Sequence, residues 1–437
     1  MRAALARHDF RVVYRTLTGE AGFSQRRIAD LTGQAQSEVS EILSGRRVLT
    51  YAVLARIVGG LGIPAALAGL SWYGPDGEDA YPGSVPVAES TEEAEVEMLR
   101  RHLMALGAIA TFGAPITGLG ELVTDPHAPA LPVDLPGRIG TTDVQVIRGY
   151  TDHLRALARM HGGQARPAVA LTQWADRWLD ADASDTARRA LLGALSDLHT
   201  ITAWACHDVG AVARSHYHFG RALELANDAG DGYRAAYAMR HAAMMFIERS
   251  EPNDGLKLTQ LAGLRLSATA SDDAQVPVLQ AWCHVVGALA LSRLDEPTDS
   301  TRGQARTQVA QARDGWEPPH AHARGDMDLI SGLTYLHLGE LDAAEAALAS
   351  SARTFAQSTD RREGVVADTT LALVHVQAGD SRGLAMAKDA ITAVSRTKSG
   401  NARQLWLVPL AEALEARPGG DARDLARTAR QVAATHV

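Results

Sequence analysis

The stretch from Ser24 to Gly45, Ser-Gln-Arg-Arg-Ile-Ala-Asp-Leu-Thr-Gly-Gln-Ala-Gln-Ser-Glu-Val-Ser-Glu-Ile-Leu-Ser-Gly, constrains the fold more than any other part of this 437-residue chain. Ser24 is a natural N-cap, because its hydroxyl can accept from an orphan N–H of the first turn. Ile28, Ala29 and Leu31 follow at helical spacing and predict an apolar face. Gly33 ends that helix, since glycine enters the left-handed region without a Cβ penalty. Gln36 to Ser44 then predicts a second helix, with Val39, Ile42 and Leu43 inward and Gln36, Ser37, Ser40 and Glu41 outward. Two short helices around a tight glycine turn read as a helix-turn-helix.

The outward residues carry the chemistry. A helix entering the major groove needs short or bidentate polar side chains near its start, where they reach base edges. Gln36 can pair with adenine, Glu41 can accept from cytosine N4, and Ser37 and Ser40 adapt to either. Arg46 and Arg47 follow the second helix at once and are placed to meet a phosphate strand. Gln25 opens the first helix, where free N–H groups and an amide can grip another phosphate. The plain alternative is a buried αα-hairpin with polar outer faces.

With these residues in view, the segment 10–70 resembles the helix-turn-helix domain of the lambda-repressor-like, or Xre-type, family. The resemblance rests on Ser24-Gln25, Ile28-Ala29, Gly33, Gln36-Ser37, Val39, Ile42-Leu43 and Ser44-Gly45. Phe10, Val13, Tyr14 and Leu17 fit a helix before the pair; Leu54, Ile57, Val58 and Leu61 fit a fourth, and Pro64 to Leu70 a fifth. The resemblance implies a compact five-helix domain over 1–71. It also implies Gln25 as a backbone clamp, Gln36, Ser37 and Glu41 as base readers, and Ser44 and Arg46 as phosphate contacts. Glu41 departs from the family pattern, in which an amide or basic group is common there, so its role depends on a facing cytosine.

Charge divides the chain in the same place. Up to Ser71 nine arginines face five carboxylates, about +4, whereas the whole chain is −8. A basic head on an acidic body suits a nucleic-acid reader attached to something that does not wrap nucleic acid. Apolar content of 46% and few aromatics (5%), with a body rich in Ala, Leu and Arg, predict an all-α globular protein. No uninterrupted apolar stretch of membrane-spanning length and no secretion signal stand out. The two cysteines, Cys206 and Cys283, lie in apolar helical segments and read as buried thiols of a reducing, cytoplasmic compartment. When bound to DNA the protein is expected at the nucleoid.

A Gly/Pro/acidic linker covers 72–90, and Ser90 to Glu93 forms a capping box for a helix reaching about Phe112. The Pro-rich stretch 113–140 reads equally as a hinge or as a surface crossover. From Thr141 helix follows helix to the end, giving a body over 91–437. Its clearest unit has Gly332, Tyr335, turn Gly339, Ala344 and Leu348; a second has Ala372, His375, Gly379 and Leu384; a third has Gly210, Ser215, Phe219 and Ala222. These units resemble degenerate tetratricopeptide repeats, since Gly339 and Gly379 lie 40 residues apart against a usual period of about 34. A non-repeating helical bundle is the alternative. In architecture the whole chain resembles long actinobacterial-type regulators and the peptide-sensing regulators of Gram-positive bacteria. The resemblance implies a solenoid that forms a homodimer, binds a peptide or small-molecule effector in its groove, and resets the spacing of two heads.

Enzyme signatures are absent: there is no Lys-Ser/Thr phosphate loop, His-Glu-x-x-His, Cys-x-x-Cys or Gly-x-Ser-x-Gly. Neither a metal nor a cofactor is expected; His216 and His218 diverge on a helix, and His320 and His322 read as a solvated helix start. Tyr233, Tyr237, Arg240 and Met244 recur along one helical stripe and are the candidate effector contacts, unless the tyrosines merely fill gaps between helices. The expectation is thus a non-enzymatic transcriptional regulator of a double-stranded DNA operator. A protein-interaction scaffold tethered to DNA by its head is the second reading.

Overall fold

The computed structural model describes residues 9–19, 23–46, 48, 51–61, 100, 103, 137–269, 275–314 and 321–435. Over these the chain is all-α apart from one pair of two-residue strands. It divides into two compact units, the first holding the described residues up to Leu61 and the second those from Arg100 onward.

The first unit contains α1 (Phe10–Gly19), α2 (Gln25–Thr32), α3 (Gln36–Ser44) and α4 (Tyr51–Gly60). Ser24 caps α2 as the sequence predicts, its Oγ accepting from Arg27 N at 3.2 Å. Gly33 closes the helix in the left-handed region at φ 60°. The N-terminus of α3 is capped differently: Ala35 has no side-chain acceptor, and the Glu38 carboxylate instead accepts from Ala35 N at 3.1 Å. Phe10, Val13, Tyr14, Ile28, Val39, Ile42 and Ile57 meet in one core. Leu31, predicted inward, is exposed; Thr32 takes the buried position, because the helix turns the 28–29–32 face toward α4. Tyr14 donates to Gln34 Oε1 at 2.5 Å, and the single Thr32 hydroxyl proton lies between Ile28 O at 2.7 Å and Gln34 Oε1 at 3.0 Å, so a small polar knot sits beside the turn. Burial lifts the Tyr14 hydroxyl to about 12, which keeps it a donor. The expected fifth helix (64–70), the linker 72–90 and the capping box at 90–93 lie outside the described residues.

In the second unit β1 (Arg138–Ile139) pairs in parallel with β2 (Asp182–Ala183). Only this end of the Pro-rich stretch is described, and it is a strand where no strand is predicted. Helices α5 (Thr141–His161) and α6 (Ala165–Asp176) come first. Six helix pairs follow: α7 (Asp185–Asp208) with α8 (Val212–Asp228), α9 (Gly232–Glu248) with α10 (Pro252–Ser267), and α11 (Gln275–Ser292) with α12 (Asp299–Arg313). The remaining three are α13 (Ala321–Leu338) with α14 (Leu341–Ala356), α15 (Arg361–Gln377) with α16 (Gly383–Ser395), and α17 (Leu407–Glu415) with α18 (Gly420–Ala433). The first helix of each pair packs on the first helix of the next, which builds an inner layer from α7 through α17.

Small residues set the approach within a pair. A Cβ on Gly332 would stand 2.5 Å from Leu348 Cγ, while Ala344 and Leu348 are fully buried opposite. Gly339, Gly379 and Gly210 all end helices at positive φ. In the third predicted unit, however, Gly210 is the turn itself, and Ser215, Phe219 and Ala222 form the buried face of the helix that follows. By length and composition α11 qualifies to cross a membrane, yet 67% of it is buried within the fold.

Candidate functional site

Two places hold the sequence-predicted residues. In the first unit, Gln36, Ser37, Ser40 and Glu41 are exposed along one face of α3, while Val39 and Ile42 anchor the other in the core. Gln25 is half-buried at the start of α2, and Ser44 is exposed at the end of α3 with its hydroxyl donating to Ser40 O at 2.8 Å. Arg46 is exposed and ion-pairs with Glu41, which sequence inspection does not predict. This pair leaves Glu41 partly neutralised, and both side chains remain more than half exposed. Arg47 lies outside the described residues. Sequence reasoning missed Arg11, whose guanidinium reaches the left-handed Gly45 turn at the end of α3, although it sits a turn before Arg15 on the exposed side of α1. The unit thus shows a polar helix face with short side chains and arginines at its end.

In the second unit a cavity of about 130 Å³ opens between α5, α7, α9, α13 and α15. Of the candidate effector contacts, Tyr237, Arg240 and Met244 line it. Tyr233 does not; it stacks on Tyr237, ring centroids 6.4 Å apart, one turn back. The residues missed are Arg155 and Arg159 from α5, Trp204 from α7, and His322 and Asp326 from α13, since they come from helices far apart in sequence. His322 is no solvated helix start: its Nδ1 bonds Asp360 at 2.8 Å and its side chain faces the cavity. His320 is outside the described residues.

Arg240 is buried, 8% exposed, and no carboxylate of the described residues lies within ion-pair distance of it. Its guanidinium lies 4.4 Å above the Trp282 ring, and its Nε has no hydrogen-bond partner. One Nη contacts His241 Nε2 at 3.2 Å, and His241 Nδ1 contacts the Tyr237 carbonyl at 2.9 Å. That pattern assigns the imidazole: Nδ1–H donates to the carbonyl and Nε2 accepts from Arg240. Burial and then the neighbouring Arg240, Arg155 and Arg159 push His241 well below the ordinary histidine range, so it stays a neutral acceptor.

Asp208 closes the cavity at one edge. Burial alone would raise its carboxyl, but the Arg362 guanidinium, Ser399 Oγ and Gly163 N–H outweigh that and hold it below the ordinary range. Oδ1 accepts from Arg362 Nη2 at 2.7 Å and from Ser399 at 2.5 Å, and Oδ2 accepts from Gly163 at 2.7 Å. The carboxylate therefore joins the end of α7 to the start of α15, the loop after α16 and the α5–α6 turn. Gly163 has φ 61°, and a Cβ there would stand 2.2 Å from Lys398 O, so glycine is required for this closure.

Several other buried polar groups lie away from the cavity lining. His216 packs on Phe246 and is pushed down to about 4 by burial, while His218 bonds His199 at 2.9 Å inside the fold. Cys206 and Cys283 are buried free thiols, raised to about 12 by burial. Among the described residues no group of His, Cys, Asp and Glu is arranged to hold a metal ion. Compared with protein-family models, with curated proteins and with solved structures, the chain matches none.

Proposed function

We propose that this chain is a sequence-specific, DNA-binding transcriptional regulator that works as a homodimer and is modulated by an effector bound in its helical body. The observation that carries the reading is the exposed polar face of α3, Gln36, Ser37, Ser40 and Glu41, held rigid by a core on its other side. Rigid presentation matters because base readout requires side chains to meet fixed donor and acceptor positions. Arg46 and Arg11 beside the end of that helix supply the phosphate contacts, and on binding Arg46 exchanges Glu41 for a phosphate, freeing the carboxylate to meet a cytosine. The resemblance of 10–70 to lambda-repressor-like domains supports the same assignment, and the stacked helix pairs agree with a tetratricopeptide-like body. Dimerisation follows from the size of the head, since one recognition helix makes few base contacts and two half-sites about one helical turn apart restore specificity.

Two substitutions test this. Gln36→Ala is expected to cost about 1–3 kcal/mol at the base pairs it reads and to relax preference there. Arg46→Ala should weaken all sequences alike and lower the salt slope by about one. Binding-site selection from a random duplex library reads both. A Gln36 variant with unchanged affinity and preference removes α3 from the groove.

A further inference from the structure

Arg240 is a buried cation whose charge the described residues compensate incompletely. A guanidinium taken out of water is costly unless an anion or full hydrogen bonding compensates. Here the one side-chain hydrogen bond it makes among the described residues goes to a neutral imidazole, Asp326 acts on it only from beyond ion-pair distance, its Nε is unsatisfied, and it faces an open cavity. Arg155 and Arg159 line the same side, and of the three only Arg155 has an ion-pair partner among the described residues, Asp152. We infer that the cavity binds a small organic monoanion, a carboxylate on a planar apolar body, with the carboxylate on Arg240 and the body among Tyr237, Trp204 and Met244.

Size and charge narrow the class. A void of about 130 Å³ is near the roughly 150 Å³ that admits a benzene ring, and is too small for a peptide helix. A guanidinium fork matches a carboxylate in two parallel bonds. On the α13 side Asp326 faces the cavity, so a second negative charge, as on a phosphate monoester, meets repulsion there. The aromatic walls favour a flat body over an aliphatic chain. This deepens the regulator reading by naming the effector class, and rests on it only for the consequence, not for the binding.

The test is calorimetric titration of the full-length protein, free of DNA, with benzoate, its neutral isostere benzamide, and phenyl phosphate. Benzoate is expected to bind saturably at one site, with benzamide and phenyl phosphate each at least tenfold weaker. Arg240→Gln should lose benzoate at least tenfold and leave benzamide unchanged; Arg240→Lys should fall between. Absence of benzoate binding, equal binding of benzamide, or undiminished binding by Arg240→Gln overturns the inference. If thermal melting shows Arg240→Gln to be unfolded, the wild-type ligand series and Arg240→Lys decide it. Duplex binding is measured separately: benzoate binding without any DNA binding would sink the regulator reading and leave the pocket standing, and the reverse would sink the pocket alone.

Discussion

At the scale of single residues, the two buried arginines of the cavity have opposite circumstances. Arg362 is paired with Asp208 and Glu363, whereas no carboxylate of the described residues stands within ion-pair distance of Arg240 and Asp326 acts on it only from farther off. A buried pair adds little net stability over an apolar replacement, but removing one partner strands the other. Asp208→Ala is therefore expected to cost about 3–5 kcal/mol in urea unfolding, because Arg362, Ser399 and Gly163 all lose their acceptor. The same carboxylate gives a pH dependence. Its folded value lies below its unfolded one, so its contribution is complete above about pH 4 and is lost as pH falls through the folded value. Asp208→Asn should flatten that acid limb; an identical acid profile in variant and wild type would show that the carboxylate is not the tie. None of this is legible in the sequence, since Asp208 and Ser399 stand 191 residues apart and only the closure of the helical layer brings them together.

At the scale of elements, local chemistry is legible and register less so. Ser24, Gly33 and the alternation of polar and apolar positions in 36–44 locate α2 and α3 to the residue, because caps and left-handed glycines act within one turn. The error at Leu31 has the same local origin. With α2 only eight residues long, three apolar positions do not decide which one faces the core, and α4 decides it. Gly60 shows how closely α4 approaches: a Cβ there would stand 2.0 Å from Leu31 O, a backbone atom that cannot swing aside. Gly60→Ala should destabilise the first unit by at least about 1–3 kcal/mol. Hydrogen exchange on the full chain reads this directly, with faster exchange of α2 and α4 amides and no change in α7–α18. Unchanged exchange in α2 would mean the two helices can separate without cost.

At the scale of the whole molecule, the all-α class and the run of helices from Thr141 follow from composition and from glycine spacing. The cavity does not, because its walls come from five helices whose meeting depends on the curvature of the layer. Curvature is a sum of small rotations between pairs, and no single residue encodes it. The stripe on α9 is visible because its members share one helix; Arg155, Arg159 and His322 are invisible until α5 and α13 are placed. Dimerisation belongs to this scale as well. Light scattering on the full chain is expected to give twice the 46.5 kDa chain mass, and a monomer at micromolar concentration would leave a single head with too few base contacts for useful specificity.

The central claim is that α3 reads duplex DNA. The direct measurement is fluorescence anisotropy of the full-length protein on a selected operator and on an unrelated duplex of equal length, across a series of salt concentrations. The account expects the operator to bind at least about a thousandfold tighter than the unrelated duplex, with both affinities falling linearly on logarithmic axes as phosphate contacts release counterions. Equal affinity for the two duplexes, or binding to neither at low salt, would contradict it.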